Sequence, residues 1–238
     1  MFKILIIGGA SFIGSSLSQY FLQNTNNNLA TMDDLRAEKT LKNMEFAIQH
    51  RRGYRHKFYL SSFVDMYLSD KIFELEQPDI VIFCKTPEAT CYHSTLARAI
   101  ATAKKFNVKK FFYIHPQVAS PIKHESYKYG LEVCDSDSAK DFVTKIKVCR
   151  LYGPRQDCSE PFVNAIDSAL KLQQIDLSSA GNAPNEWLYI RDLCTAVDKI
   201  INDTKHKSEY IVSSGQVASE YDLVRNVMHI TKYEPLEF

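Results

Sequence analysis

Short apolar runs alternate with longer amphipathic stretches along the chain. The runs fall at 3–7, 29–32, 57–60, 80–84, 110–114, 147–151 and 210–212, and they are rich in Val, Ile, Phe and Tyr. Runs of that kind predict strands buried on both faces. Between them, helical periodicity covers 12–23, 35–50, 65–76, 90–106 and 128–143. Strand and helix in alternation imply right-handed crossovers, so the expected fold is α/β, a doubly wound parallel sheet with helices on both faces. Beyond residue 152 the spacing changes. A helix at 161–173, short strands at 175–177 and 187–190, and helices at 191–203 and 218–230 predict a small C-terminal lobe. The expected division is 1–151 for the sheet domain and 152–238 for the lobe packed on it.

Composition narrows the function. The 238 residues are 45% hydrophobic and 24% charged, with a net charge of +1, so no overall field favours nucleic acid or an anionic membrane. No apolar run approaches the ~20 residues that span a bilayer. Glycines and a polar helix start follow the first apolar run where a signal peptide would place its cleavage site, so a cytoplasmic protein is expected. The six cysteines form no Cys-x-x-Cys pair and the seven histidines no metal-binding spacing, which predicts buried thiols and no metal. The basic stretch HRRGYRHK at 50–57 reads as a solvated turn, and the lysines of AKKFNVKKFF as complements to a helix end.

The chemistry concentrates in ILIIGGASFIGSSL. A strand runs into Gly8-Gly9 and a helix starts near Phe12. Gly8 permits the tight turn, Gly14 permits close helix–strand packing, and the N–H groups between them face a pyrophosphate. Ser11 takes the place of the usual middle glycine, and its hydroxyl is expected to donate to phosphate. Asp33 ends the second apolar run, nineteen residues after Gly14. A carboxylate there accepts from the adenosine ribose hydroxyls and repels a 2′-phosphate, which favours NAD over NADP. Arg36, three residues on, is a group that could pair with a 2′-phosphate. Strand, glycines, helix, strand and terminal acid in this order predict a Rossmann-type dinucleotide domain.

From here the sequence resembles the extended short-chain dehydrogenase/reductases, the nucleotide-sugar epimerase and dehydratase family. GGASFIGSSL resembles its GGxGFIGS, MDDL its Asp-Asn-Leu, QPDIVIFCKT its PDxVxHLAA, CRLYGPRQ its Tyr-Gly-Pro-Arg motif and NEWLYIRDLCTAV its RDFIYVxDxAxA. The resemblance implies an NAD-dependent enzyme acting on a nucleotide-linked sugar by hydride transfer. It implies dinucleotide contacts from Gly8, Ser11, Phe12, Ile13, Gly14, Asp33, Asp34, Leu35, Ser62, Phe63, Cys84, Lys85, Thr86 and Tyr127. It implies substrate contacts from Tyr152, Arg155, Asn185, Trp187 and Arg191, although Trp187 also fits a core role. A homodimer through helices 90–106 and 128–143 would also fit the family.

The departures cluster at the family's catalytic groups. A Ser or Thr after the fifth strand, a tyrosine, and a lysine four residues beyond it carry the chemistry; the cation brings the phenol, ordinarily near pKa ~10, toward working pH. Here the hydroxyl position falls on His115 or Pro116, Tyr127 matches the tyrosine, and the lysine position is Leu131. Lys128 could reach the nicotinamide ribose if it preceded the helix. His115 is a second acid/base candidate, with His93 also placed to face the cleft. The only Tyr-x-x-x-Lys, Tyr67–Lys71, lies in the helix after the third strand and reads as an ordinary helix face. The segments after the fourth and fifth strands are shorter than the family's, and both lie where ligands bind. Two readings follow: an enzyme relying on Tyr127, Lys128 or His115, and a catalytically degenerate NAD-binding regulatory or assembly protein.

Overall fold

The computed structural model describes residues 1–35, 42–45, 53–62, 65–84, 92–117, 121–156, 161–175, 180–205 and 207–231, with the side chains of 121–127 outside that description. Two compact units are present: Met1–Val148 with Arg191–Val212, and Cys149–Ile190 with Ser213–Phe238. The structure differs from a single cut at 151 because residues after 190 return to the sheet before the chain leaves it again.

The first unit holds a seven-stranded sheet. Its strands are β1 (Lys3–Ile7), β2 (Asn28–Asp33), β3 (His56–Leu60), β4 (Ile80–Phe83), β5 (Lys110–Pro116), β6 (Val143–Val148) and β9 (Glu209–Val212). They lie in the order β3-β2-β1-β4-β5-β6-β9, and every neighbouring pair is parallel. The doubly wound expectation is therefore met. The chain runs outward from β1 to β3, then crosses to β4 and runs the other way. The point of reversal lies between the carboxyl ends of β1 and β4, where open α/β sheets bind ligands. The central strands are apolar and buried apart from Lys3 at the start of β1, as in KILII and IVIF, because helices cover both faces.

The helices of this unit are α1 (Phe12–Asn24), α2 (Met66–Glu76), α3 (Tyr92–Lys105), α4 (Pro121–Asp135) and α6 (Ile190–Asn202), whose first residue belongs to the second unit. Ser11 caps α1 and Asp65 caps α2, each accepting a backbone N–H three residues on. Buried Glu76 closes the base of the sheet. It accepts from Lys3 and Lys57 at 2.9 Å each and from the Tyr59 hydroxyl.

Two boundaries differ from the periodicity. The helix expected at 128–143 is α4, which starts at Pro121 and stops at Asp135. Proline suits a first helical position, and at the far end the Ser136 hydroxyl bonds back to the Val133 carbonyl at 2.7 Å, diverting the chain into turns. The sixth strand, expected at 147–151, is Val143–Val148. It alternates buried and part-exposed positions because only one strand separates it from the sheet edge. Of the helix expected at 35–50, the described residues 42–45 are helical and 36–41 and 46–50 lie outside the description.

The second unit contains β7 (Arg150–Tyr152), β8 (Pro184–Tyr189), β10 (Val217–Ser219), α5 (Pro161–Leu170) and α7 (Glu220–Thr231). Its three strands lie in the order β10-β8-β7. It has its own small core of Phe162, Ala165, Trp187, Val224 and Met228. In it, buried Arg150 stacks on Trp187 at 4.7 Å and approaches Glu220 at 4.0 Å. Of the strand expected at 175–177, Ile175 lies in no strand and the other two residues are outside the description.

Candidate active site

The turn from β1 into α1 is tied down on three sides. Gly8 adopts φ +85°, and the N–H groups of Gly8 and Gly9 both donate to the Met32 carbonyl at 2.9 and 3.2 Å. Ala10 N–H donates to Asp33 Oδ2 at 3.0 Å, while Asp33 Oδ1 takes the Leu35 N–H at 3.0 Å and holds Leu35 at φ +50°. Asn43 Nδ2 donates to the Ala10 carbonyl at 3.0 Å. Ser11 N–H donates to the Gly8 carbonyl, Gly14 N–H to Ser11 Oγ, and Ser15 N–H to the Ser11 carbonyl. Among the described residues nothing accepts from the two N–H groups left in this run, those of Phe12 and Ile13. They begin α1, where the helix dipole adds partial positive charge.

Glycine is required by contact here. A Cβ on Gly14 would stand 2.1 Å from the Gly8 carbonyl oxygen, and one on Gly9 would stand 2.4 Å from Thr31 Cβ. Thr31 is held in turn by the His56 ring at 2.8 Å. Burial pushes the His56 pKa down to about 4, so the ring is neutral at neutral pH.

The Ser11 hydroxyl is committed in a way the sequence did not suggest. Its single O–H donates to the Cys84 carbonyl at 3.2 Å, and the residue is 9% exposed. The expected donation to phosphate is therefore corrected, because the proton is already used inside the fold. Cys84 is also turned inward, its thiol against the carbonyls of Ile7 at 3.5 Å and Gly8 at 3.8 Å, and burial pushes that thiol far up. The side chain thus supports the turn from below. Asp34 and Ser62 are part-exposed beside Asp33 and Ser61. Ser61 N–H donates to the Asp33 carbonyl at 3.0 Å, and its buried hydroxyl has no hydrogen-bond partner among the described residues. Phe63, Lys85, Thr86 and Arg36 lie outside the described residues.

At the β5 end, His115 is half-buried and Pro116 is buried, and both remain in the strand, in register with Lys147 and Val148. Gln117 N–H extends the pairing to the Val148 carbonyl at 2.8 Å. No hydroxyl is available at either position. In α4, Tyr127 lies seven positions into the chain of the helix counted from Pro121, and only its backbone is described. Lys128 follows within the same helix, so the alternative that it precedes the helix is corrected. Consecutive helical positions diverge by about 100°, and Lys128 is exposed. Leu131 shares the Tyr127 face and packs against the cluster that contains Tyr92, Tyr113 and Cys134. Tyr92 donates to Tyr113 Oη at 3.1 Å under this helix, and a Cβ on Gly130 would stand 2.2 Å from that oxygen. His93 is exposed and meets the Tyr129 ring at 6.4 Å between centroids. Tyr67 and Lys71 lie on an exposed face of α2, and Lys71 pairs with Glu74. That pair is a helix surface, as expected. HRRGYRHK is structural at its described end: the Arg55 guanidinium donates to the Asn27 and Leu22 carbonyls at 2.6 and 2.8 Å.

Of the expected substrate residues, Trp187 is corrected. It is 6% exposed, donates its indole N–H to the Ala218 carbonyl at 3.1 Å, and packs edge-on against Phe162. It forms the second unit's core. Tyr152, Arg155 and Asn185 are half-buried in that unit, and Arg155 has φ +72° after Gly153-Pro154. Arg191 is exposed at the start of α6 and belongs to the first unit. The structure missed by sequence reasoning is mostly supporting: Asn43, Thr31, His56 and Gly130. Nothing in a polar residue's type marks it as the partner of a loop carbonyl. Among the described residues no His/Cys/Asp/Glu group could hold a metal, and no helix is long and apolar enough to cross a membrane.

No protein-family model matches the chain. The dTDP-glucose 4,6-dehydratase of Salmonella typhimurium is 32% identical, with 93% of this chain and 74% of that protein aligned. The dTDP-D-glucose 4,6-dehydratase of Dictyostelium discoideum is 23% identical over 96% of this chain, which spans 62% of that relative's length. Among solved structures, the Bacillus anthracis dTDP-glucose 4,6-dehydratase in complex with NAD superimposes with a TM-score of 0.82 at 17% identity, covering 98% of this chain and 82% of that one. The Bacillus cereus UDP-glucuronic acid 4-epimerase, in complex with UDP-glucuronic acid and NAD, gives 0.81 at 17% identity over 98% of this chain and 84% of that one. At such identities the superpositions establish the fold.

Proposed function

This chain belongs to the nucleotide-sugar epimerase and dehydratase family of extended short-chain dehydrogenase/reductases, and from that premise we propose that it binds NAD and acts on a nucleotide-linked sugar by hydride transfer. The observation that carries the reading is the β1–α1 turn, where six N–H groups from Gly8 to Ser15 are satisfied within the fold and those of Phe12 and Ile13 are left for a diphosphate. The residues present fit the dinucleotide. Gly14 allows α1 to touch the Gly8 carbonyl, and the Asp33 carboxylate, oriented by two backbone N–H groups, ends β2 at the position where such domains bind the adenosine ribose. The same carboxylate repels a 2′-phosphate, which makes NADP the weaker ligand. When bound, NAD supplies the hydride acceptor. Tyr127 is the first proton-transfer candidate and His115 the second. Tyr152, Arg155, Asn185 and Arg191 remain the candidates for holding the sugar nucleotide. A cytoplasmic location and a homodimer through α3 and α4 complete this reading.

A second reading is favoured by two particular residues. Leu131 packs into the core where the chemistry needs a cation, and Pro116 sits in a strand where it needs a hydroxyl. A protein that binds NAD without turnover, in a regulatory or assembly role, accounts for both. Calorimetry with NAD⁺, NADH and NADPH tests the shared premise; tight binding of NAD⁺ or NADH is expected and absence of all binding at millimolar concentration would sink both readings. A panel of nucleotide sugars then separates them. Turnover lost in Tyr127→Phe supports the enzyme, and NAD binding with no turnover of any sugar supports the second reading.

A further inference from the structure

We propose that Ser11 is a positioning residue for the diphosphate, a latch that fixes the Phe12 and Ile13 N–H groups relative to β4. The inference rests on the dinucleotide reading above. In turns of this kind the middle position is glycine so that the backbone can approach the pyrophosphate. Serine keeps that approach open because its side chain turns inward, leaving the residue 9% exposed. The hydroxyl then bonds in both directions, accepting the Gly14 N–H at 3.1 Å and donating to the Cys84 carbonyl at 3.2 Å. Cys84 is bonded to the same turn a second time, through its thiol to Ile7 and Gly8.

The other ties on the turn run elsewhere. Met32 and Asp33 hold Gly8, Gly9 and Ala10 to β2, and Asn43 holds the Ala10 carbonyl. The Ser11 side chain joins the start of α1 to the end of β4, across the point where the strand order reverses. It also removes Gly14 from the set of unclaimed donors, so the cradle offers two adjacent N–H groups in a fixed place. Without the hydroxyl, the Gly14 N–H and the Cys84 carbonyl lose their bonds together and the donors are free to shift.

The test compares ligands that carry the diphosphate with one that lacks it. Ser11→Ala is expected to weaken NAD⁺ and ADP-ribose about tenfold, equivalent to about 1.4 kcal/mol, and to change adenosine binding less than about twofold. Ser11→Thr, which keeps the hydroxyl, is expected to stay within about threefold of the parent for all three. Ser16→Ala is the structural control: its hydroxyl donates to the Phe12 carbonyl at 2.7 Å, one turn into α1, so its loss should lower stability without separating the ligands. Equal losses for ADP-ribose and adenosine in Ser11→Ala, or no loss, overturn the latch. Amide exchange in the unaltered protein gives a check that needs no variant. Gly14 must exchange slowly before ligand is added while Phe12 and Ile13 slow only with NAD⁺; Gly14 exchanging as fast as they do overturns the latch as well. A parent protein that binds no dinucleotide overturns the cofactor reading instead.

Discussion

At the β1–α1 turn, Gly14 lets a helix close onto the carbonyl of Gly8; on the β5 side, Gly130 lets α4 close onto the hydroxyl of Tyr113. Both helices approach the sheet so nearly that a single added carbon would stand within 2.2 Å of an oxygen. Around Gly14 the neighbouring positions retain the polar groups that a dinucleotide needs, namely Asp33 and two unclaimed N–H groups. Around Gly130 the packing is kept, but two positions are apolar where the chemistry uses polar groups: Leu131 packs against the core and Pro116 stays within β5. The packing of a βα unit and the chemistry at its rim are therefore separable. A sheet can keep both helices in place while only one of the two rims retains its full polar set.

The largest effect is expected at Gly14. In Gly14→Ala the new methyl meets backbone on both the Gly8 and Gly9 sides, and backbone of a tied turn cannot move aside. A loss of about 3 kcal/mol in chemical denaturation is expected, with NAD binding abolished. An Ala variant of native stability would show that the turn is not held as described. Next in size is acidification. The folded His56 accepts a proton only near pH 4, whereas the unfolded chain accepts it near 6.5, so the unfolded state binds more protons in between. Stability contributed by His56 is complete above pH ~6.5 and is lost as pH falls toward 4, by up to about 3 kcal/mol. Thr31, which His56 holds, lies against Gly9, so the loss is directed at the cradle. In His56→Gln this part of the pH dependence should vanish; an unchanged slope between pH 6.5 and 4 would assign it to other groups.

Gly130→Ala sharpens the other half of the comparison. Its methyl meets the Tyr113 hydroxyl and ring and the Tyr92 ring, which are side chains with some room to yield. About 2 kcal/mol of destabilisation is expected, less than at Gly14. Combining it with Tyr113→Phe removes the nearest atom, so the double variant should be more stable than the sum of the two single losses by about 1 kcal/mol. Additive losses would place the clash elsewhere.

The parallel, doubly wound class of the sheet is legible because strands buried on both faces write themselves as short apolar runs, as in ILII of β1 and IVIF of β4. The cradle was legible for a related reason: Gly8, Gly14 and Asp33 are demanded by backbone geometry at fixed spacing. The sixth strand starts earlier than its apolar run suggests because VTKIKV alternates near the sheet edge, and that alternation competes with the apolar run that follows. Trp187 was ambiguous because an indole suits a ligand pocket and a core equally until its neighbours are known; Arg150, Phe162 and Ala218 decide it. The sequence points the Ser11 hydroxyl toward phosphate because the Cys84 carbonyl lies 73 residues away in the chain and nothing local announces it. Long-range polar partners are the part of a site that sequence spacing carries least.

The smallest effect tests the chemistry most directly. Leu131→Lys restores the cation at the position four residues beyond Tyr127, on the same helix face. The site is only partly buried, so the lysine stem can lie along the apolar cluster with its ammonium turned toward solvent. A cost of about 1 kcal/mol is expected, for lost packing against the cluster. If the missing cation alone silences the site, this variant should gain turnover of a nucleotide sugar that the parent lacks. The structure argues against that outcome, because Pro116 still offers no hydroxyl to the substrate and remains paired with Val148 in the strand. Unchanged turnover with near-parent NAD affinity is therefore expected from Leu131→Lys alone, and a gain appearing only when Pro116→Thr is added would assign the loss to both positions together.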